Sequence, residues 1–199
     1  VMVSIGVEYE EIGDRFDLES LPYGLGIPQS VVDLTIAVPF NDAEAMARRI
    51  ERLVEERRPP ACLIMEPAMM NIGIVLPEPG YHDALRRLTR DHGTYLVIDE
   101  THTICAGAGG ATRAWGLDPD FVTIGKPLAS GVPAACYGMS AEVAERTETF
   151  MRSLPTTDVG GIGGTLSGNA LSLAAMRATL EHVLTEEAFE RMIALGERW

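Results

Sequence analysis

Lysine is nearly missing from this sequence: of 16 basic residues, Lys126 is the one lysine and the others are arginine. Basic charge as a whole is scarce, with 29 Asp and Glu against those 16 and a formal net charge of −13. A protein that grips a phosphate backbone needs a basic face, so the deficit argues against a nucleic-acid partner. Long apolar runs are absent too: none approaches the roughly 20 residues that span a bilayer. The opening Val1-Met2-Val3-Ser4 lacks the basic and apolar regions of a secretory leader. A cytoplasmic protein without a membrane partner is the expectation. Cysteine is sparse: Cys62, Cys105 and Cys136 are odd in number and far apart, with no C-x-x-C and no histidine at ligand spacing. Neither a disulfide framework nor a metal site is expected, and the three read as small buried apolar side chains.

What is present suits one globular core, since 199 residues with 46% apolar content is ordinary for a single domain. Residues 1–30 are mixed, with turn residues at Gly13, Pro22, Gly24, Gly26 and Pro28, and read as a connecting segment. From Val31 the apolar run V-V-D-L-T-I-A-V predicts a strand. A helix follows, capped by Asn41 or Asp42, with Ala45, Ile50, Leu53 and Val54 approximating one face. The alternation repeats with A-C-L-I-M-E and a helix from about Gly80 to His92, then Y-L-V-I-D-E, then F-V-T-I-G before Lys126. A-A-C-Y-G-M after Pro133 predicts a further strand. The stretch from Leu166 to Trp199 predicts helix, broken near Thr185.

Short apolar strands alternating with amphipathic helices define an α/β fold with a mainly parallel sheet and helices on both faces. Such sheets bind ligands beyond the carboxyl ends of their strands. Those ends carry Glu66, Asp99 with Glu100, and Gly125-Lys126.

"YLVIDETHT", residues 95–103, runs an apolar strand into two carboxylates and an imidazole. A nucleotide-driven motor delivers a magnesium carboxylate in this way, but it also needs the cradle G-x-x-x-x-G-K-[ST]. That cradle is missing, and the single Gly-Lys is followed by Pro127, which offers neither a hydroxyl nor a helix of free amides. An acid and a lysine at neighbouring strand ends suit pyridoxal phosphate instead. That cofactor needs an amine for its Schiff base, a carboxylate on its pyridine nitrogen and donors for its phosphate. Asp99 supplies the carboxylate and Lys126 the amine, which also carries a proton from the substrate's α carbon. In "GGIGGTLSGNAL", from Gly160, glycines and Thr165 just before a helix suit an anion, although a flexible connection has the same composition. G-A-G-G at 107–110 lacks G-x-G-x-x-G spacing and gets no dinucleotide role.

"EPAMMNIGIVLPEPGYHDALRRL", "YLVIDETHT", "GLDPDFVTIGKPLASGVPAACYG" and "GGTLSGNALSLAA", in that order, resemble the class III aminotransferases of PLP fold type I, especially the branch containing glutamate-1-semialdehyde aminomutase. The resemblance implies that Lys126 is the Schiff-base lysine and Asp99 the acid on the pyridine nitrogen. It implies that Thr165 binds the cofactor phosphate of the neighbouring subunit in a homodimer with shared active sites. Asn71 is implied near the cofactor's 3′ oxygen, and His102 stands where members have residues close to the same oxygen, or is a packed core histidine. Thr101 takes the place of a Val or Ile that packs on the ring face and adds a hydroxyl. The partners implied are a small-molecule amine donor and a carbonyl acceptor.

Two departures stand out. T-I-C-A-G-A-G-G-A-T-R replaces the usual T-G-F-x-R segment, so the substrate side should differ. Members are also much longer, so the resemblance implies that residues 31–199 are part of the large cofactor domain, truncated at both ends. An aminotransferase working through Lys126 is the expected function. A glutamate-1-semialdehyde-type aminomutase, or a truncated PLP-binding or dimerisation domain without turnover, is the alternative. The roles of Glu66 and Glu100 stay open between structure and support of the site.

Overall fold

The computed structural model describes residues 8–155 and 162–199. Val1 to Ser4, read above for a leader, and Gly160 and Gly161 of the glycine-rich stretch lie outside the described residues. The chain divides into two compact units, one formed by residues 1–61 and 77–94, the other by residues 62–76 and 95–199.

In the first unit, β1 (Gly13–Asp14) and β2 (Asp17–Leu18) form a two-stranded antiparallel ribbon within the segment read as a connection. The strand expected from Val31 is not formed. Residues 29–32 instead make the single helical turn α1 (Gln29–Val32), started by Pro28 at φ −62°. Two side chains favour the turn over an extended chain: Gln29 donates to Asp33 at 2.8 Å, and the Thr35 hydroxyl donates back to the Val31 carbonyl at 3.1 Å.

Helix α2 (Ala43–Glu55) is capped by Asp42, which accepts from the Ala45 amide at 3.0 Å. It buries Ala45, Met46, Ile50 and Leu53, while Val54 is exposed. Helix α3 (Tyr81–Asp91) buries Tyr81, Leu85 and Thr89, four residues apart on one face. The two helices pack on each other. Asn41, at φ 62°, accepts from the Glu78 amide at 2.8 Å, and Phe40 meets the Tyr81 ring edge-on at 5.0 Å.

The second unit holds a four-stranded sheet in the order β3 (Cys62–Met65), β4 (Tyr95–Asp99), β5 (Phe121–Ile124), β6 (Cys136–Met139). The first two pairings are parallel and the last is antiparallel, so the sheet is mixed and mostly parallel. Leu96 and Ile98 alternate as the buried positions of β4. Asp120 sets the register: its carboxylate accepts from the Leu96 amide at 2.7 Å, its own amide donates to the Leu96 carbonyl, and its carbonyl accepts from Ser140. The helices of this unit are α4 (Gly110–Ala114), α5 (Ala141–Ser153), α6 (Ala170–His182) and α7 (Glu186–Gly196). Thr185, where the helical stretch was expected to break, caps α7 by accepting from Ala188 at 3.2 Å.

The cysteines differ from expectation. Cys62 and Cys105 are exposed and Cys136 is half-buried; all three are free. Cys62 lies on the edge strand β3 and Cys105 in a surface turn, where a small apolar side chain gains no cover. Among the described residues no helix is long and apolar enough to cross a membrane.

Candidate active site

Parallel pairing puts the carboxyl ends of β3, β4 and β5 side by side. Asp99 ends β4 in register with Thr123 of β5, and the chain leaves β5 through Gly125 into Lys126. The carboxylate of Asp99 is turned locally, because its Oδ1 accepts from the Thr101 amide at 2.9 Å. Thr101 stands against the end of β5: a Cβ added at Gly125 would lie 3.6 Å from its methyl and 3.7 Å from its hydroxyl. Asp99, Thr101, Gly125 and Lys126 are therefore brought together at the carboxyl end of the two central strands.

Lys126 is exposed and left-handed, with φ 46°. A side chain at positive φ is strained, and such positions cluster at functional sites. The strain is held by the turn that follows. Residues Lys126–Ala129 form a one-turn 3₁₀ segment that buries Leu128 and Ala129 and packs on α6. The Ser130 hydroxyl lies 2.9 Å from that of Thr179, a buried residue of α6.

His102 begins the turn after β4, and its Nε2 is buried with no hydrogen-bond partner among the described residues. Glu66, directly after β3, likewise has a buried, unpartnered Oε2. Asn71 is exposed in the short ribbon after β3, where Met69 and Val75 exchange backbone hydrogen bonds of 3.1 and 2.9 Å. Thr165 is exposed in the turn before α6, and that turn is closed by Ser167, whose hydroxyl accepts from Gly164 at 2.7 Å. Among the described residues no hydrogen bond joins Asn71 or Thr165 to Asp99 or Lys126.

Two features were not legible beforehand. An apolar pocket of about 320 Å³ is lined by Ile104, Cys105, Pro127, Leu184, Phe189 and Met192, among others, so the neighbour of Lys126 faces part of the unusual T-I-C-A segment. The second is the burial of Glu100, for which the paired glycines Gly109 and Gly110 were the available signal. A groove of about 620 Å³ in the first unit, lined by Asp17, Arg49, Arg52 and Arg58 among others, contains none of these side chains. Among the described residues no cluster of His, Cys, Asp and Glu is arranged to hold a metal ion.

Comparison with known proteins agrees with this arrangement. The family model described as Aminotransferase class-III matches residues 17–198. A glutamate-1-semialdehyde 2,1-aminomutase 2 of Brevibacillus brevis is 35% identical over 181 residues, 89% of this chain and 39% of that protein. A glutamate-1-semialdehyde 2,1-aminomutase of Sulfurihydrogenibium azorense is 39% identical over 158 residues, 78% of this chain and 34% of that protein. Among solved structures, a glutamate-1-semialdehyde-aminomutase from Pseudomonas aeruginosa PAO1 matches with a TM-score of 0.76 at 38% identity, over 90% of this chain and 40% of that one. An omega-transaminase from Sphaerobacter thermophilus matches with a TM-score of 0.73 at 30% identity, over 92% and 40% respectively. The chain thus spans about 40% of the length of these structures. The strand order, the acid and the lysine at the carboxyl ends of the central strands, and a match over nearly all its residues lead to one conclusion: this chain belongs to the class III aminotransferase family.

Proposed function

We propose that the chain carries the cofactor-holding centre of a pyridoxal 5'-phosphate-dependent aminotransferase, which moves an amino group between an amine or amino acid and a carbonyl acceptor. The observation that carries this reading is the placement of Asp99 and the sole lysine, strained at φ 46°, at the ends of neighbouring parallel strands. Residues 31–199 are read as part of the cofactor domain.

The residues present fit that cofactor. Among the described residues Asp99 uses Oδ1 for Thr101, which leaves Oδ2 for a ring N–H. The orphaned Nε2 of His102 is a buried polar atom that a cofactor oxygen would satisfy. When bound, pyridoxal phosphate supplies an electron sink for the pair left at the substrate's α carbon. Lys126 Nζ would hold the cofactor through a Schiff base and, as a free amine, would carry the proton at that carbon. Asp99 would keep the proton on the ring nitrogen, and Thr101 would offer its methyl as apolar cover for the ring. Asn71 is read as a partner of the 3′ oxygen and Thr165 as a phosphate ligand. The exposure of Thr165 supports its service to a second copy, and so a homodimer with shared sites. Three free thiols support a reducing, cytoplasmic setting.

A second reading is favoured by the names of the curated relatives: an aminomutase, which moves the amino group within one substrate. The test is to supply pyridoxal phosphate with amine donors and carbonyl acceptors, and separately glutamate-1-semialdehyde, to this chain and to a longer natural chain containing it. Transfer between two substrates supports the first reading. Isomerisation of the single substrate, with no transfer, replaces it with the second.

A further inference from the structure

Glu100 follows Asp99 directly, yet nothing in the proposed chemistry uses its carboxylate. It is 1% exposed. Its three partners are all donors: the Thr103 hydroxyl reaches Oε2 at 2.6 Å, the Ala111 amide reaches the same oxygen at 3.1 Å, and the Thr112 amide reaches Oε1. Two of them, the Ala111 and Thr112 amides, can only donate, one to each oxygen, which suits a carboxylate and no neutral amide. The backbone of Glu100 is fixed as well. Its N–H donates to the Thr123 carbonyl and its carbonyl accepts from Ile104, both at 2.8 Å.

The G-A-G-G loop is built around this group. Gly110 has φ 66°, and a Cβ there would stand 2.5 Å from Oε2 of Glu100. Glycine is required on both counts. The segment replacing the usual T-G-F-x-R is thus closed over a buried acid that belongs to the same strand end as Asp99.

We propose that Glu100 is a positioning residue of the cofactor site: its carboxylate ties Thr103 and the start of α4 to the end of β4. The turn between them, carrying Thr101 and His102, is thereby held so that the Thr101 amide stays on Asp99. The inference rests on the reading of Asp99 and Lys126 as a cofactor site. Glu100→Gln would set an amide NH₂ against the Ala111 or Thr112 N–H, and Thr103→Val would delete one donor at nearly constant shape.

Two measurements on the chain and these variants test it. In amide hydrogen exchange without cofactor, E100Q should lower the protection of Thr101 roughly tenfold or more, together with that of Ala111 and Thr112, and T103V should do so by a few-fold. With pyridoxal phosphate added, the visible absorbance of the bound cofactor should titrate at a different pH in both variants. Loss of protection confined to Ala111 and Thr112, with Thr101 exchange and the absorbance titration unchanged, overturns the proposal and leaves Glu100 an anchor of α4 alone. Should E100Q fail to fold, T103V decides by the same two readouts. If the unaltered chain takes no cofactor at Lys126, the cofactor reading fails separately, and the exchange of Thr101 still decides the claim about Glu100.

Discussion

Asp99 and Thr123 lie side by side in parallel register, and three residues beyond Thr123 the chain turns left-handed at Lys126. This adjacency puts an acid and an amine, 27 residues apart in sequence, at the carboxyl ends of the two central strands. It also makes separable predictions, because the acid and the amine are held by different local structures.

Lys126→Gly should raise stability while removing the proposed function. A side chain in the left-handed region costs about 1–2 kcal/mol relative to glycine, and Lys126 is exposed, so little packing is lost. Urea unfolding should show a gain of up to about 1 kcal/mol. A clear loss of stability would mean that the strain is not where the backbone places it.

Asp99→Asn keeps an oxygen for the Thr101 amide but removes the charge. The variant should fold with unchanged stability and still bind pyridoxal phosphate at Lys126. Turnover in a longer active chain should fall by roughly 10²–10⁴-fold, the scale of a lost acid–base group. Full turnover in D99N would remove Asp99 from the chemistry.

The cap of α2 should weaken in acid. The side-chain hydrogen bond from Arg15 holds the Asp42 carboxyl down at about 2, below its usual 3.8. A group depressed in the folded state stabilises fully above its unfolded value and loses that contribution as pH falls through its folded value. Asp42→Ala should therefore cost about 1 kcal/mol at neutral pH, through loss of the helix cap. That difference should shrink below pH 3.8 and level off as pH falls past about 2, where the neutral carboxyl keeps only a carbonyl oxygen for the Ala45 amide. A difference that stays constant down to that pH would show that the ionised carboxylate is not what stabilises α2.

The thiols should react in order. Cys62 and Cys105 are exposed, whereas burial pushes the Cys136 thiol up. Since the thiolate is the nucleophile, alkylation mapped by peptide mass should reach Cys136 last, with its rate rising at higher pH than for an ordinary thiol. Equal rates at the three positions would contradict the burial of Cys136.

Much of the second unit was legible because its strands are short, apolar and bounded. Y-L-V-I-D and F-V-T-I contain little that competes with an extended chain, and both form strands. The run from Val31 misled for a physical reason: Pro28, Gln29 and Thr35 offer local hydrogen bonds that a composition of V, L and I does not reveal. Helix α5 went unread although Ser140 caps it by accepting from Val143 at 3.3 Å. At the site, the placement of Asp99 and Lys126 at the ends of neighbouring strands was readable from the apolar runs that precede them. The burial of Glu100 did not, since it depends on backbone amides eleven and twelve residues away. Exposed cysteines were missed because a residue's burial is set by its neighbours in space rather than by its own polarity.

The central claim is that Lys126 is the residue that holds pyridoxal phosphate, and its most direct test is borohydride reduction after incubation with that cofactor, followed by peptide mass mapping. It should be run on this chain and on a longer natural chain containing it. Since Lys126 is the one lysine in the sequence, the account predicts a single pyridoxyl adduct on the peptide that carries it within this span. No adduct at Lys126 in either chain would contradict the account.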